Sequence, residues 1–218
     1  MSLLAILATS LHVSQLALQL NAQDEQNRLD ACLERIQNQP SEAYEDSLAW
    51  LMAGNRPKAR HCNAMALISM GRVREGATRL EALANAPDPI ALNQRIHYMT
   101  QAGNAWLSAN YPEAAITAFS TALRLQSSDP FIYVDRAAAY FTIGNWALGL
   151  NDLDAALSLA PDLTDARALR ARAYLKTEAL ESAKADIDQL LIVAPENIEF
   201  LLLRGEINET LRIRDTRD

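Results

Sequence analysis

Glycine is scarce in this chain: only seven of its 218 residues are glycine, while alanine and leucine dominate the composition. Glycine disfavours helix interiors, whereas alanine and leucine favour them. Half of the residues are hydrophobic, which is ample for a core. The composition therefore predicts a helical protein, and the length allows one domain or a small pair.

Positive charge is also in short supply, because 20 lysine and arginine residues stand against 27 aspartate and glutamate residues, a formal net charge of −7. Nucleic-acid binding requires a basic stripe on the protein. An anionic membrane surface is an equally poor partner for such a chain. The acidic balance itself indicates no more than solubility.

The chain lacks an apolar run that could span a membrane, since a span needs about twenty predominantly apolar residues. Residues 1–22 come nearest, but His12 and Ser14 interrupt them. The apolar residues 3–8 and the small residue Ala22 instead resemble a secretory signal peptide, although no basic residue precedes them. The alternative is a first helix packed on the rest of the chain.

Signatures of catalysis are missing: the chain has no Gly-x-Ser-x-Gly motif, phosphate-binding loop or dinucleotide fingerprint. Asp186 and Asp188 lie two residues apart on a predicted helix, so the two carboxylates do not share a face. His61 adjoins Cys62 but lacks the residue spacing of a zinc site. We therefore expect no enzyme, no metal and no cofactor.

Only two cysteines occur, Cys32 and Cys62. Two interpretations are open: a disulfide between consecutive first helices, or two buried thiols that act as small hydrophobic residues. A bridge would close a loop of about 30 residues and stabilise the fold by roughly 3–4 kcal/mol in the chain-entropy model. Disulfides persist in oxidising compartments, so the even cysteine count and the suspected signal peptide support each other. We expect the bridge and a periplasmic or secreted protein, with a cytoplasmic one as the alternative.

The chain does contain a period of 34 residues between Ile96 and Asn197. A fixed period of this size predicts stacked helix–turn–helix units. Alanine or glycine suits the positions where two helices approach closely, and a large residue fills the space opposite. The matched positions are Ala105, Ala139 and Ala173; Trp106, Tyr140 and Tyr174; Ala115, Gly149 and Ala183; Phe119, Leu153 and Ile187; and Leu123, Leu157 and Leu191.

The repeat resembles the tetratricopeptide repeat, which pairs a first-helix aromatic with a later Ala-x-x-x-aromatic and a closing proline. Ala115-x-x-x-Phe119 keeps the second feature, and Pro161 and Pro195 keep the third. A fourth copy lies upstream at an offset of 39 positions. The resemblance implies an all-α fold, an α-solenoid of helix–turn–helix repeats wound into a right-handed superhelix.

Repeats and helix signals divide the chain into segments. Pro57, Pro89 and Pro130 each stand where a helix should begin, because proline is favoured at the first helical position. The last helix should turn Leu201, Leu202 and Leu211 inward and keep a polar outer face, as the end of a solenoid requires. The segments are 1–22, a signal peptide or extra helix; 23–56, a degenerate capping hairpin; 57–95, a divergent repeat; 96–129, 130–163 and 164–197, three repeats; and 198–214, a C-terminal capping helix.

The resemblance also implies a concave groove, lined by positions two, five, nine and twelve to thirteen of each first helix. This groove would be apolar in the middle, around Phe141, and cationic at its late end. Arg172 could hold a carboxylate bidentately there, unless Arg172 and Lys176 are simply solvated. Arg136 and Arg170 share one repeat position, which suggests a structural role. The groove positions are Thr100, Asn104, Ser108, Val134, Ala138, Phe141, Thr142, Asp165, Ala168, Arg172 and Lys176.

The family resemblance implies a protein–protein interaction module that holds a peptide segment of a partner, as a scaffold or adaptor in the cell envelope. An alternative is a cytosolic co-chaperone-like adaptor, a subclass that clamps a C-terminal carboxylate. Asn104 matches one clamp position, but Asp135, Leu169 and Asp165 replace the Asn, Arg and Lys of the others. An enzyme with a site that no motif reveals is the third hypothesis.

Overall fold

The structure of this chain is a computed structural model that describes the backbone of residues 3–126 and 128–216, and the side chains of residues 19–126 and 128–216. The described residues form eleven α-helices and no strand. This all-helical architecture confirms the predicted fold class. The helices are α1 (Leu3–Ile36), α2 (Pro40–Ala53), α3 (Pro57–Ser69), α4 (Val73–Asn85), α5 (Leu92–Ser108), α6 (Pro112–Leu125), α7 (Pro130–Thr142), α8 (Trp146–Leu159), α9 (Thr164–Lys176), α10 (Leu180–Val193) and α11 (Ile198–Asp215).

The N-terminal segment that resembles a signal peptide, residues 1–22, continues without a break into the rest of α1 from Leu3 onwards. Met1 and Ser2 lie outside the described residues, as do the side chains up to residue 18. Within the described part of the chain, no helix is both long enough and apolar enough to cross a membrane. Whether residues 1–22 are removed stays a prediction.

The chain divides into two compact units, Met1–Ala105 and Trp106–Asp218. In the first unit, α1, α2 and α3 share a core that includes Leu29, Trp50 and Cys62. The sulfur atoms of Cys32 and Cys62 are joined by a disulfide between α1 and α3, with the two Cα atoms 6.0 Å apart.

In the second unit, successive hairpins build successive cores. Leu153 and Leu157 of α8 pack on α7, and Ala166 of α9 joins the same cluster. Ile187 of α10 belongs to the next cluster, which Phe200 of α11 completes. Each helix pair therefore buries its apolar face against its neighbours along the chain, as a solenoid does.

The turn inside each of four hairpins passes through a left-handed backbone conformation. The residues there are Gly71 with φ of 80°, Asn110 with 63°, Gly144 with 73° and Glu178 with 60°. Glycine adopts this conformation freely and asparagine tolerates it, but a glutamate does so at a cost. The 34-residue register therefore preserves the shape of the turn even where its residue type departs from glycine.

The last helix differs from the prediction in its register. Leu202 is 70% exposed and Leu201 is 37% exposed, whereas Phe200, Leu203 and Ile207 are the buried residues of α11. The buried set follows the spacing i, i+3, i+7, which places its side chains on one face. The expectation that Leu201 and Leu202 point inward was wrong, while Leu211 does pack against the core.

Candidate functional site

In the second unit, the first helices of the hairpins expose side chains at matched repeat positions. Phe131, Asp165 and Glu199 each occupy the second position of their helices, 34 residues apart, and all three are exposed. Phe131 is 61% exposed, which is unusual for a phenylalanine. The next expected groove position holds Val134, which is half-buried, Ala168, which is buried, and Leu202, which is exposed.

Phe141 does not present a free aromatic face. Its ring stacks on Trp146, with the centroids 5.0 Å apart and the planes inclined by 25°. A Cβ atom built on Gly149 would lie 2.2 Å from Cε1 of Phe141, so the ring occupies the space that this glycine leaves open. Phe141 therefore belongs to the packing of the α7–α8 hairpin, and Phe131 is the more accessible aromatic side chain.

The cationic end of the predicted groove is partly neutralised. Arg172 forms an ion pair with Glu199 of α11, and both side chains are substantially exposed. Lys176 is exposed, and none of the ion pairs found among the described residues includes it. Asp165 of the same helix is exposed as well, so α9 carries a negative charge near its start and positive charges further along.

The remaining predicted groove residues are polar or small. In the second unit, Ser108 and Thr142 are exposed and Ala138 is half-buried; the Thr142 hydroxyl donates a hydrogen bond to the Ala138 carbonyl oxygen over 3.1 Å. In the first unit, Asn104 is exposed and Thr100 is half-buried, with the Thr100 hydroxyl bonded to the Ile96 carbonyl oxygen over 3.0 Å.

Arg136 and Arg170 stand in polar rows that hold neighbouring helices together. Arg136 donates from Nε and Nη2 to both carboxylate oxygens of Asp152, at 2.8 and 2.7 Å, and from Nη1 to the Ser120 hydroxyl at 3.0 Å. Arg170 repeats this arrangement with Asp186 and with Asp154. We call these sets the Arg136 row and the Arg170 row; within each, neighbouring members lie 16 residues apart.

The charged side chains in these two rows form ion pairs with one another. The hydrogen bonds and charge of Asp152 raise the pKa of Arg136, and Asp186 does the same for Arg170. Asp152 and Asp186 are themselves buried. A bidentate arginine–carboxylate pair adds both binding energy and a fixed geometry. Asp186, considered above for catalysis, is thus a structural residue.

A third row lies in the first unit and has a different charge. The side-chain amide nitrogen of Asn63 donates to the Ser47 hydroxyl over 2.8 Å, and the side-chain oxygen Oδ1 of Asn63 accepts a hydrogen bond from Nη1 of Arg79. Ser47, Asn63 and Arg79 again lie 16 residues apart, and we call them the Arg79 row. The 16-residue spacing of this row is visible in the sequence. The 34-residue period does not predict the row, because a five-residue insertion separates the first repeat copy from the later ones.

His61 is packed in the first unit and not arranged for metal binding. Its Nε2 lies 2.8 Å from Oε1 of Gln101, and its ring is 4.8 Å from that of Tyr98. Burial lowers the pKa of His61 to about 4. No group of three metal-ligating side chains occurs among the described residues.

No known family model matches the chain. Its curated relatives include RNA polymerase II-associated protein 3 of Mus musculus, 25% identical over 123 residues, which are 56% of this chain and 19% of the relative. A second is the DNA polymerase interacting tetratricopeptide repeat-containing protein of 47 kDa of Drosophila melanogaster, 28% identical over 117 residues, 52% of this chain and 28% of the relative. The chain therefore spans less than a third of the length of these relatives.

Solved structures of similar fold include the first TPR of Spaghetti (RPAP3) bound to the HSP90 peptide SRMEEVD, at 25% identity and a TM-score of 0.53. That match covers 55% of this chain and 94% of the other. MamA from Desulfovibrio magneticus matches over 81% of this chain and 97% of the other, with 16% identity and a TM-score of 0.66. The MamA likeness concerns the fold alone.

Proposed function

Because this chain is a tetratricopeptide-repeat protein, we propose that it is an adaptor that binds an extended peptide segment of a partner protein. The binding surface in this proposal is the exposed face of α7, α9 and α11. The observation that carries it is the exposure of Phe131 and Leu202 at groove positions of a repeated register. A solved domain of the same fold, bound to a peptide, supports the proposal.

The charges of this surface define the peptide that it would accept. Phe131 offers an apolar contact, and Arg172 and Lys176 offer positive charge about two and three turns of helix beyond Asp165, the acidic residue at the start of α9. The Arg172–Glu199 pair is exposed, and such pairs contribute about 0–1 kcal/mol, so a ligand carboxylate can replace Glu199 at little cost. The preferred segment therefore combines an apolar residue, for contact with Phe131, with an acidic residue or terminal carboxylate that reaches Arg172 and Lys176 without passing Asp165.

The carboxylate clamp of the co-chaperone-like subclass is not fully present. Asp165 stands where the resemblance places a lysine, and Asp135 where it places an asparagine. An aspartate repels an incoming carboxylate, and such a contact between like charges weakens binding by roughly several kcal/mol. We therefore propose that this chain binds a peptide of the same general kind by a different set of contacts.

The cytoplasmic adaptor is supported better than the envelope scaffold. The matched relatives are named for association with RNA polymerase II and with a DNA polymerase, and one solved domain is bound to an HSP90 peptide. The Cys32–Cys62 disulfide favours an oxidising compartment, because cytosolic disulfides are rare. The state of these two cysteines in the native protein decides between the two.

The proposal is tested by capturing a partner from native extract and measuring its affinity for substituted chains. Phe131→Ala and Arg172→Ala should each weaken binding by roughly 1–3 kcal/mol, since groups at the centre of an interface carry most of its energy. Leu159→Ala and Arg124→Ala are matched controls, because they remove an exposed leucine and an exposed arginine from second helices. Equal affinity of all four variants and the parent would place the partner elsewhere.

A second measurement separates this surface from a carboxylate clamp. The peptide SRMEEVD should bind the parent chain weakly, because Asp165 opposes its acidic end. Asp165→Lys should strengthen binding by at least about tenfold if the peptide lies along α9 in the manner of the clamp subclass. Tight binding of this peptide to the unsubstituted chain would contradict our account of the charges.

A further inference from the structure

A cavity of about 340 Å³ lies between α2, α3 and α4 in the first unit. Leu48, Leu51 and Leu83 supply its apolar wall, and Arg79 and Asn63 are part of its polar wall. Pockets that hold small ligands are typically about 300–1,000 Å³, mostly apolar, with a few polar groups that fix the ligand's orientation. The cavity has the size and composition of such a pocket.

Arg79 carries a charge that its own row does not balance. In the Arg136 and Arg170 rows, the arginine is neutralised by the bidentate carboxylate of an aspartate. In the Arg79 row, the other two members are Asn63 and Ser47, which are both neutral and both buried. Among the ion pairs of the described residues, none involves Arg79. The third row thus retains an unbalanced guanidinium at the wall of a cavity.

Neighbouring acidic groups are hydrogen-bonded to other arginines. Glu75, one turn before Arg79 on α4, accepts two hydrogen bonds from Arg72, at 2.8 and 2.7 Å, and interacts with Arg79 only through its charge. Arg60, which also lines the cavity, is paired with Asp88. No acidic side chain belongs to the wall of this cavity. The cavity is therefore apolar on one side and positive on the other.

We propose that this cavity binds a carboxylate carried on an aliphatic body, with the carboxylate accepting hydrogen bonds from Arg79 and the aliphatic part lying against the three leucines. Among the described residues, Arg79 donates one hydrogen bond, to the side-chain carbonyl oxygen of Asn63, and a guanidinium has five N–H donors. An arginine fork matches a carboxylate in shape, so the ligand would complete the Arg79 row as aspartate completes the other two. The proposal is independent of the peptide site on α7, α9 and α11.

The test uses two pairs of probes that differ in charge: octanoate with octanol, and N-acetyl-leucine with N-acetyl-leucinamide. Isothermal titration with the full chain should show each acid binding about tenfold or more tightly than its neutral partner, since a hydrogen bond to a charged group has that effect. The octanoate pair represents a free aliphatic acid, and the N-acetyl-leucine pair represents the end of a peptide. The acid that binds more tightly identifies the source of the ligand.

Two substitutions locate the site. Arg79→Gln should remove the preference for the acids, and Asn63→Asp should do so as well, because it places a carboxylate beside Arg79 as in the other rows. Asn63→Asp gives Arg79 a charged partner but removes the amide that donates to the Ser47 hydroxyl, which itself donates to the Tyr44 carbonyl oxygen. The helical melt of this variant therefore separates loss of the site from loss of the fold. Arg124→Gln, which removes an exposed arginine from the second unit, should bind the acids like the parent.

The proposal is overturned if neither acid binds at millimolar concentration, or if acid and neutral probe bind equally. It is equally overturned if Asn63→Asp folds like the parent and binds the acids with unchanged affinity. Failure of the peptide-binding test at Phe131 and Arg172 would not change the outcome of the acid-binding test. The two proposals are therefore tested independently.

Discussion

Glu178 lies in the turn between α9 and α10. It adopts a φ of 60° in a turn where two other hairpins have glycine. A left-handed backbone costs an L-residue with a Cβ roughly 1–2 kcal/mol. The stacked helices on either side impose the turn, and the glutamate bears the cost.

Glu178→Gly should therefore stabilise the protein by about 1 kcal/mol, once the greater flexibility of glycine in the unfolded chain is subtracted. Urea unfolding followed by circular dichroism measures the difference. Gly144→Ala is the reciprocal control and should destabilise, because Gly144 has a φ of 73°. A Glu178→Gly protein that unfolds at a lower urea concentration than the parent would contradict this account of the turn.

His61 makes stability depend on pH. Burial lowers its pKa to about 4, so between pH 7 and pH 5 the unfolded chain takes up a proton that the folded chain does not. The free energy of unfolding rises with pH wherever the unfolded state binds more protons. The stability that depends on neutral His61 is therefore fully present above pH 6.5 and is lost as the pH falls towards 4.

Lowering the pH from 7 to 5 should cost about 2 kcal/mol more in the parent than in His61→Gln, given the ordinary histidine pKa of about 6.5. His97→Gln should reduce the pH dependence of the parent only slightly, because His97 is exposed and its charge lowers the pKa of His61 less than burial does. The free energy of unfolding at each pH, from urea titrations, gives the comparison. Parallel pH profiles for the parent and His61→Gln would show that His61 is not the buried neutral group described above.

Two helical glycines illustrate how packing decides the effect of one methyl group at the scale of an element. A Cβ at Gly149 would meet the Phe141 ring at 2.2 Å, whereas a Cβ at Gly205 of α11 would meet nothing within 4 Å. Alanine is favoured over glycine inside helices by about 1 kcal/mol. The same substitution should therefore have opposite signs at the two sites.

Gly205→Ala should stabilise by about 0.5–1 kcal/mol, and Gly149→Ala should destabilise by about 1–3 kcal/mol through overpacking. Thermal melts of the two variants measure this difference. Combining Gly149→Ala with Phe141→Leu should recover part of the loss, because the smaller side chain vacates the contested space. If Gly149→Ala melts like Gly205→Ala, the close approach of α7 and α8 is absent in solution.

The sequence contained most of the information on the elements. The period of 34 residues predicted the hairpins, and the prolines at positions 57 and 130 are the first residues of α3 and α7. The expectation that a helix begins at Pro89 was wrong, because α5 begins at Leu92. Side-chain direction was harder to predict: Leu202 proved exposed, and Phe141 is half-buried against Trp146 of its own hairpin. The repeat period predicts the position of each residue within its helix. Whether the side chain at that position is buried depends on whether a neighbouring helix packs against it.

For the molecule as a whole, the redox state of the two cysteines is linked to the fate of residues 1–22. If the native protein is exported, its intact mass should lack a leader, and neither Cys32 nor Cys62 should react with a thiol reagent without prior reduction. If it remains in the cytoplasm, the mass should include these residues and both thiols should react after denaturation, because reducing compartments disfavour disulfides. A shortened chain with two free thiols would exclude both accounts.

The disulfide also has a mechanical consequence. A repeat protein pulled from its two ends gives way a few helices at a time, because each hairpin is held only by its neighbours. The bond between Cys32 and Cys62 removes the intervening 30 residues from the extensible part of the chain. At about 3.4 Å per residue, the oxidised protein would be shorter by roughly 100 Å at full extension. The N-terminal hairpin would then act as an inextensible link, and the load would be carried by the helices beyond it.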